Sequence, residues 1–334
     1  MKSRTELVIL VLLLAPALSS AADLKPETLQ EWDAYVGAAR TRMEKRASRQ
    51  APFLWVDEEQ DLAQRVRAGE ILVGPVNGES PHLAPNGLIH DWIGAVFVPK
   101  AKLGDVMGVL NDYEHYKDFY RPMVVKATVL QRTPDHEKVT LRMMGKAYSV
   151  TSAVETDDDV EITRLGADRA YSMSTSVRVQ TVADYGEPSE HLLPQDHGPG
   201  YVWRTFGVTR LEQHEDGVYV EMEMTDLSRG IPWEFRWLIQ PLAERMPRAI
   251  LRTTLQETRD AVRQEIRAAS LKTQSMVQVA SNHPAWLCEQ SNRWAKRVEP
   301  LKSRGVPIRV VYGNPLPNQS GRIRVEKQEE VSRT

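Results

Sequence analysis

The stretch that decides the fold is IPWEFRWLIQPLAERMPRAILRTTLQETRDAVRQEIRAA, residues 231–269. After Pro247 it runs from Arg248 to Ala269 without Gly or Pro. Within that run Leu251, Leu255, Thr258, Val262 and Ile266 recur at steps of three and four, the period of one helical face. Arg252, Arg259, Asp260, Arg263 and Gln264 fall elsewhere on the wheel. The spacing predicts a long amphipathic helix that must lie on something. Pro247 suits its first turn, and Pro241 predicts a shorter helical piece ahead of it with a kink between.

The chain before this helix reads as strands. Residues 124–132, 138–144, 147–155, 160–165, 170–183, 201–212 and 218–227 are candidates, with Leu88–Pro99 as an earlier strand. Turn signals stand at Pro134-Asp135, at Asp157-Asp158-Asp159 and at Glu215-Asp216-Gly217. Short connections predict antiparallel pairing. Two short helices, about 102–110 and 113–120, separate the first strand from the rest. Residues 184–200 form a long Pro- and Gly-containing insertion, and loops of that length often sit over a binding site.

Upstream, Leu29, Trp32, Val36, Ala39 and Met43 predict a helix over Pro26–Ala47. A second, shorter helix follows Asp57-Glu58-Glu59-Gln60 and ends at Gly69. Their apolar faces are too small for a separate core, so they are expected to pack on the main domain as a collar. Lys2 and Arg4, the apolar run Leu7–Ala15 and small residues to Ala22 have the form of a cleaved export signal. The expected organisation is a signal peptide over 1–22, a helical extension and linker over 23–87, the main domain over 88–269 and a partly disordered extension over 270–334. The expected location is periplasmic or secreted.

The whole chain has 334 residues, 26% charged and 41% hydrophobic, with a net charge of −2. That balance gives no reason to expect a nucleic-acid partner. Cys288 is the only cysteine, so a monomer forms no disulfide. The eight histidines show no H-x-H or H-E-x-x-H spacing, and no metal is expected. No G-x-S-x-G, phosphate-binding loop or dinucleotide fingerprint occurs, and no cofactor is expected.

Four segments carry a resemblance: WIGAVFVP at 92–99, VLNDYEHY at 109–116, SRGIPW at 228–233 and IQPL at 239–242. With the order strand, two short helices, strands and long helix, the chain from about Leu88 to Ile266 resembles the START-like superfamily. That group, also called SRPBCC, includes Bet v 1-type proteins, polyketide cyclases and lipid-transfer domains. The resemblance implies an exported bacterial member with an α+β helix-grip fold: a curved antiparallel sheet wrapped around a long C-terminal helix. It implies binding or transport of a hydrophobic small molecule, lipid- or isoprenoid-like, in an internal cavity. A cyclase or aromatase using the same pocket and a non-catalytic envelope interaction protein are the alternatives. A sheet that grips one helix leaves a mostly apolar space, the general form of a small-molecule pocket.

Candidate ligand-binding residues are Met143, Tyr148, Tyr171, Met173, Trp203, Arg204, Met222 and Met224. Methionines adapt to varied apolar ligands and equally fill ordinary cores. The aromatics either wall a cavity or simply pack. Arg204 shares a parity with Phe206 and Val208, where it meets a ligand's polar head or pairs with Glu221 or Glu223 on the next strand. Trp233 and Trp237, if exposed beside the pocket mouth, suit a transient contact with a membrane surface. No catalytic residue stands out.

Overall fold

A computed structural model describes residues 23–59, 61–147, 150–199, 201–230, 236–281, 308–311 and 324–327. The chain divides into two units, Met1–Arg267 and Ala268–Thr334. In the first, helix α1 (Pro26–Ala47) and the short α2 (Leu62–Arg67) lead into β1 (Leu72–Pro75), β2 (His82–Ala84) and β3 (Gly87–Pro99). Helices α3 (Leu103–Leu110) and α4 (Tyr116–Phe119) precede β4 (Val124–Arg132), β5 (His136–Ala147), β6 (Val150–Arg164) and β7 (Arg169–Ala183). Then come β8 (His191–Leu192), β9 (Arg204–His214), β10 (Gly217–Arg229) and α5 (Arg236–Ser281). Among the described residues ten strands form one antiparallel sheet in the order β1-β3-β10-β9-β7-β6-β5-β4, with β2 beside β3 and β8 beside β7. The α+β arrangement expected from the sequence, an antiparallel sheet against a long C-terminal helix, is the one observed.

Three local expectations are corrected. Helix α5 runs unbroken through Pro241 and Pro247 and continues past Ala269 to Ser281. Strand β6 runs straight through Asp157-Asp158-Asp159, so these aspartates make no turn. In the second unit, β11 (Ile308–Val311) pairs with β12 (Arg324–Lys327), within the stretch expected to be a partly disordered extension.

Strand alternation sorts the first unit into two cores. Val218, Val220 and Met222 of β10 join Val96 and Val98 of β3 and Leu251, Leu255 and Val262 of α5 in one cluster. Tyr219 and Leu227, of opposite parity, join Ile89, Phe206 and Val208 against Trp32, Val36 and Met43 of α1. One face of the sheet therefore holds the long helix, and the other lies under the N-terminal collar.

The helix side is set by a close approach at Gly94. A Cβ there would stand 2.7 Å from Leu255 Cδ1 and 2.9 Å from the Leu72 carbonyl oxygen. The collar side is set by charge. Arg210 is 1% exposed; its Nε donates to Glu221 Oε2 at 3.1 Å and its Nη1 to Glu223 Oε2 at 3.3 Å. Glu221 also accepts the backbone N–H groups of Trp55 and Val56, at 2.8 and 2.9 Å. Arg42 of α1 donates to Glu223 at 3.0 Å, and Tyr35 of α1 gives its hydroxyl proton to Asp91 at 2.8 Å. Thr225 donates to the other Asp91 oxygen at 3.0 Å.

Two substitutions check these contacts. Gly94→Ala forces either Leu255 or the Leu72 backbone to move and should lower unfolding free energy by about 1–3 kcal/mol in a denaturant titration. Arg210→Ala removes the buried cation shared by two buried carboxylates and should cost about 3–5 kcal/mol. Stability unchanged in both would mean that neither face is packed as described.

Candidate functional site

The helix-facing side of the sheet is the candidate site, and its character changes across the strands. Register carries the parity of Met222 and Met224 through Thr209 and Gly207 on β9 to Ser172 and Ser174 on β7. Strands β7 and β9 lie in the interior of the sheet order, yet Ser172, Ser174, Thr205, Gly207 and Thr209 all keep partial solvent access. Their neighbours of opposite parity, Met173, Phe206, Val208 and Arg210, are buried under the collar. In the middle of these two strands the helix-facing positions are open, although Ala170, Ser176 and Leu211 on that face are buried and Tyr171, Thr175 and Arg204 on the other keep partial access. The floor there is small and hydroxyl-bearing. Met222, Met224, Trp92 and Leu255 supply apolar surface beside it.

Several acids share that face. Asp158 is 5% exposed and accepts the Thr156 hydroxyl at 2.6 Å; burial pushes its titration up to about 6. Glu137 on β5 lies diagonal to it and accepts Arg132 Nε at 2.6 Å. Burial, and then the Glu137 carboxylate, hold the neighbouring Tyr113 phenol well above its ordinary range. Further along β10, burial alone pushes Asp226 up to about 7. Beside it His90 Nε2 lies 3.1 Å from Ser228 Oγ. On α5, Thr258 meets the Tyr120 hydroxyl at 3.1 Å, and burial followed by Asp260 raises Glu257 to about 7.

The structure separates the eight candidates. Met222, Met224 and Met143 lie on the helix-facing parity, Met143 in step with Val139 and Leu141. Tyr171, Met173 and Trp203 belong instead to the collar cluster, so they do not wall a space beneath α5. Arg204 takes the collar-side parity of Phe206 and Val208, and it donates to Asp196 at 2.6 Å rather than to Glu221 or Glu223. The physical reason is that both faces of this sheet are covered, so an apolar face is no sign of which side holds the helix. Tyr148, Trp233 and the side chain of Trp237 lie outside the described residues. The 184–200 insertion is tied to the start of the collar: Asp196 O accepts the Leu24 N–H at 3.2 Å, and His197 Nδ1 lies 2.8 Å from Asp23 Oδ1. Sequence reasoning missed Ser172, Ser174, Thr205, Thr209 and Asp226; the parity of the β10 methionines, carried across by register, would have found them.

No protein-family model matches the chain, and no curated protein matches it. Among solved structures, a STAR-related lipid transfer protein from Xanthomonas axonopodis is 21% identical, over 55% of this chain and 96% of that one, at a TM-score of 0.37. The Zhui aromatase/cyclase from a Streptomyces species is 14% identical over 54% and 98%, at 0.37. Human STARD10 is 10% identical over 63% and 79%, at 0.36.

The raised carboxyls have a consequence for stability. Asp158 titrates near 6 and Asp226 near 7 in the folded chain, against about 4 when unfolded. Below pH ~4 both states hold these protons and the contribution is fully present; it is lost as pH rises through 6 to 7. Unfolding free energy should therefore fall between about pH 4 and pH 8. Asp158→Asn, which keeps an acceptor for Thr156, should remove its share, roughly 1–3 kcal/mol. A variant whose stability follows pH as steeply as the parent's would contradict this.

Proposed function

We propose that the chain binds or carries a hydrophobic small molecule, lipid- or isoprenoid-like, between its sheet and α5. The observation that supports this is the partial solvent access of Ser172, Ser174, Thr205, Gly207 and Thr209 on interior strands, beneath a helix. Affinity comes from burying apolar ligand surface against Met222, Met224 and Trp92, at about 25 cal/mol per Å². The hydroxyls of β7 and β9 satisfy a few polar atoms and set orientation. Loading through transient contact with a membrane surface and a periplasmic or secreted location complete the reading, the latter on the form of residues 1–22. The cyclase alternative loses Arg204 as a carbonyl-polarising group, because that side chain takes the collar-side parity.

The test is extraction of the purified protein into organic solvent followed by mass spectrometry, with titration of a fluorescent fatty-acyl probe alongside. Ser174→Trp should fill the floor and weaken probe binding about tenfold or more, with little change in thermal midpoint. A protein that yields no extractable ligand and ignores every lipid probe would end this reading.

A further inference from the structure

Trp92 carries a hydrogen-bond donor that the folded chain leaves unused. It stands on β3 two residues before Gly94, on the face that meets α5, and shares a cluster with Leu251 and Leu255 of that helix. The side chain is 8% exposed, and among the described residues no group accepts the hydrogen of its Nε1, an atom sealed from solvent. An indole N–H held out of water without an acceptor costs free energy that an incoming acceptor recovers. Arg169, Arg210 and Trp203 also have buried nitrogens without an acceptor, but they serve the collar side. Arg259, another such case, bonds the Gly69 carbonyl ahead of β1.

The row of cross-strand partners that starts at Trp92 leads to room. It runs through Met224, Gly207, Ser174 and Val160 to Glu137. Met224, Gly207 and Ser174 keep partial solvent access. A Cβ built on Gly207 would meet the Glu223 carbonyl oxygen of the next strand at 3.5 Å and, among the described residues, no side chain within 4 Å. Within the row only Met224 separates that room from the indole, and an unbranched thioether repacks readily. At the far end Glu137 also has one unpartnered oxygen, but it stands beyond the buried Val160, and its other oxygen holds Arg132.

The chemistry of the indole decides the ligand class. It donates one hydrogen and accepts none, so an ammonium or other pure donor gains nothing from it. It is also uncharged, and a single neutral donor does not offset the cost of taking an anionic head group out of water.

We propose that the Trp92 indole N–H is the orienting donor for the bound molecule, which is apolar, seats its body over Gly207 and brings a neutral oxygen acceptor, as in an ester, ketone or ether, to Nε1. This rests on the ligand-binding reading and adds the ligand class to it.

The experiment titrates the full chain, isotope-labelled at its tryptophan nitrogens, with methyl dodecanoate and with tetradecane, a chain of the same length without oxygen. The Trp92 indole proton, assigned by its loss in Trp92→Phe, should move downfield with the ester and stay in place with the alkane, because accepting its hydrogen bond deshields it. Displacement of a fluorescent fatty-acyl probe gives both affinities. In Trp92→Phe the preference for ester over alkane should fall about five- to tenfold relative to the parent. Should that variant fail to fold, through-bond assignment of the parent supplies the resonance, and its shift decides. An indole proton already hydrogen-bonded before titration, one that ignores bound ester, or a preference equal in parent and variant would overturn the role of Trp92 and leave the binding reading standing. A parent that binds neither compound nor the fluorescent probe would overturn both.

Discussion

The burial of Arg210 between Glu221 and Glu223 constrains everything else in the first unit. A charge removed from water must be compensated at close range, or it ceases to be a charge. The sheet by itself cannot meet that condition. It places two carboxylates and one guanidinium on its outer face, with Asp91 two residues along from Glu223's partner Ile93. The N-terminal segment completes the set by adding Arg42, the Tyr35 hydroxyl and the two amides at Trp55 and Val56. Three acids still face two guanidiniums. The surplus falls on Asp91, whose carboxyl is held well above the usual range by burial and then by Glu223. The collar is thus part of the domain: without it, this face would expose Phe206, Val208 and Leu227 and leave buried charges half-matched.

Sealing the outer face determines what the inner face is free to do. Helix α5 lies close over β3, where Gly94 removes the side chain that would hold Leu255 away. From there toward β9 and β7 the floor is built from Thr, Gly and Ser. The aromatic group of Tyr113, Tyr116 and Tyr120 packs against itself, with ring centroids 4.7 and 4.8 Å apart, and Thr258 ties it to α5. These contacts hold the helix to the sheet without requiring bulk over the central strands.

Much of this architecture was legible in the sequence because it rests on period. Leu251, Leu255, Thr258 and Val262 are each fully buried, as their spacing predicts. The failures came where pairing across strands outweighs local composition. Asp157-Asp158-Asp159 has the composition of a solvated turn, but Arg178 donates to Asp157, Lys138 pairs with Asp159, and Asp158 turns inward to Thr156. Arg178 and Lys138 are distant in sequence and leave no local mark. The placing of Arg204 was a different kind of failure. The turn at Glu215-Asp216-Gly217 sets His214 opposite Gly217, and counting back from it puts Arg210 against Glu221 and Arg204 against Leu227. Register arithmetic from a turn already recognised would have assigned the ion pair to the right arginine. The anchoring of the 184–200 insertion at Asp23 and Leu24 had no comparable signal.

What the two faces have in common is an uneven use of volume. A sheet selected for stability alone would carry branched apolar residues at its central inward positions, where each buried side chain contributes about 1.5–3 kcal/mol. Here β7 and β9 place their large residues, Met173, Phe206, Val208 and Arg210, outward beneath the collar. The inward positions between them receive Ser172, Ser174, Thr205, Gly207 and Thr209. Over this central stretch the two strands therefore pack densely on one side and sparsely on the other. Small residues at the centre of a large sheet forgo apolar burial and cost stability unless the room they leave is used. The collar makes that cost tolerable by supplying a second core, which the minimal arrangement of one sheet and one helix lacks. In this chain the added N-terminal helices and the open inner floor are two parts of one solution.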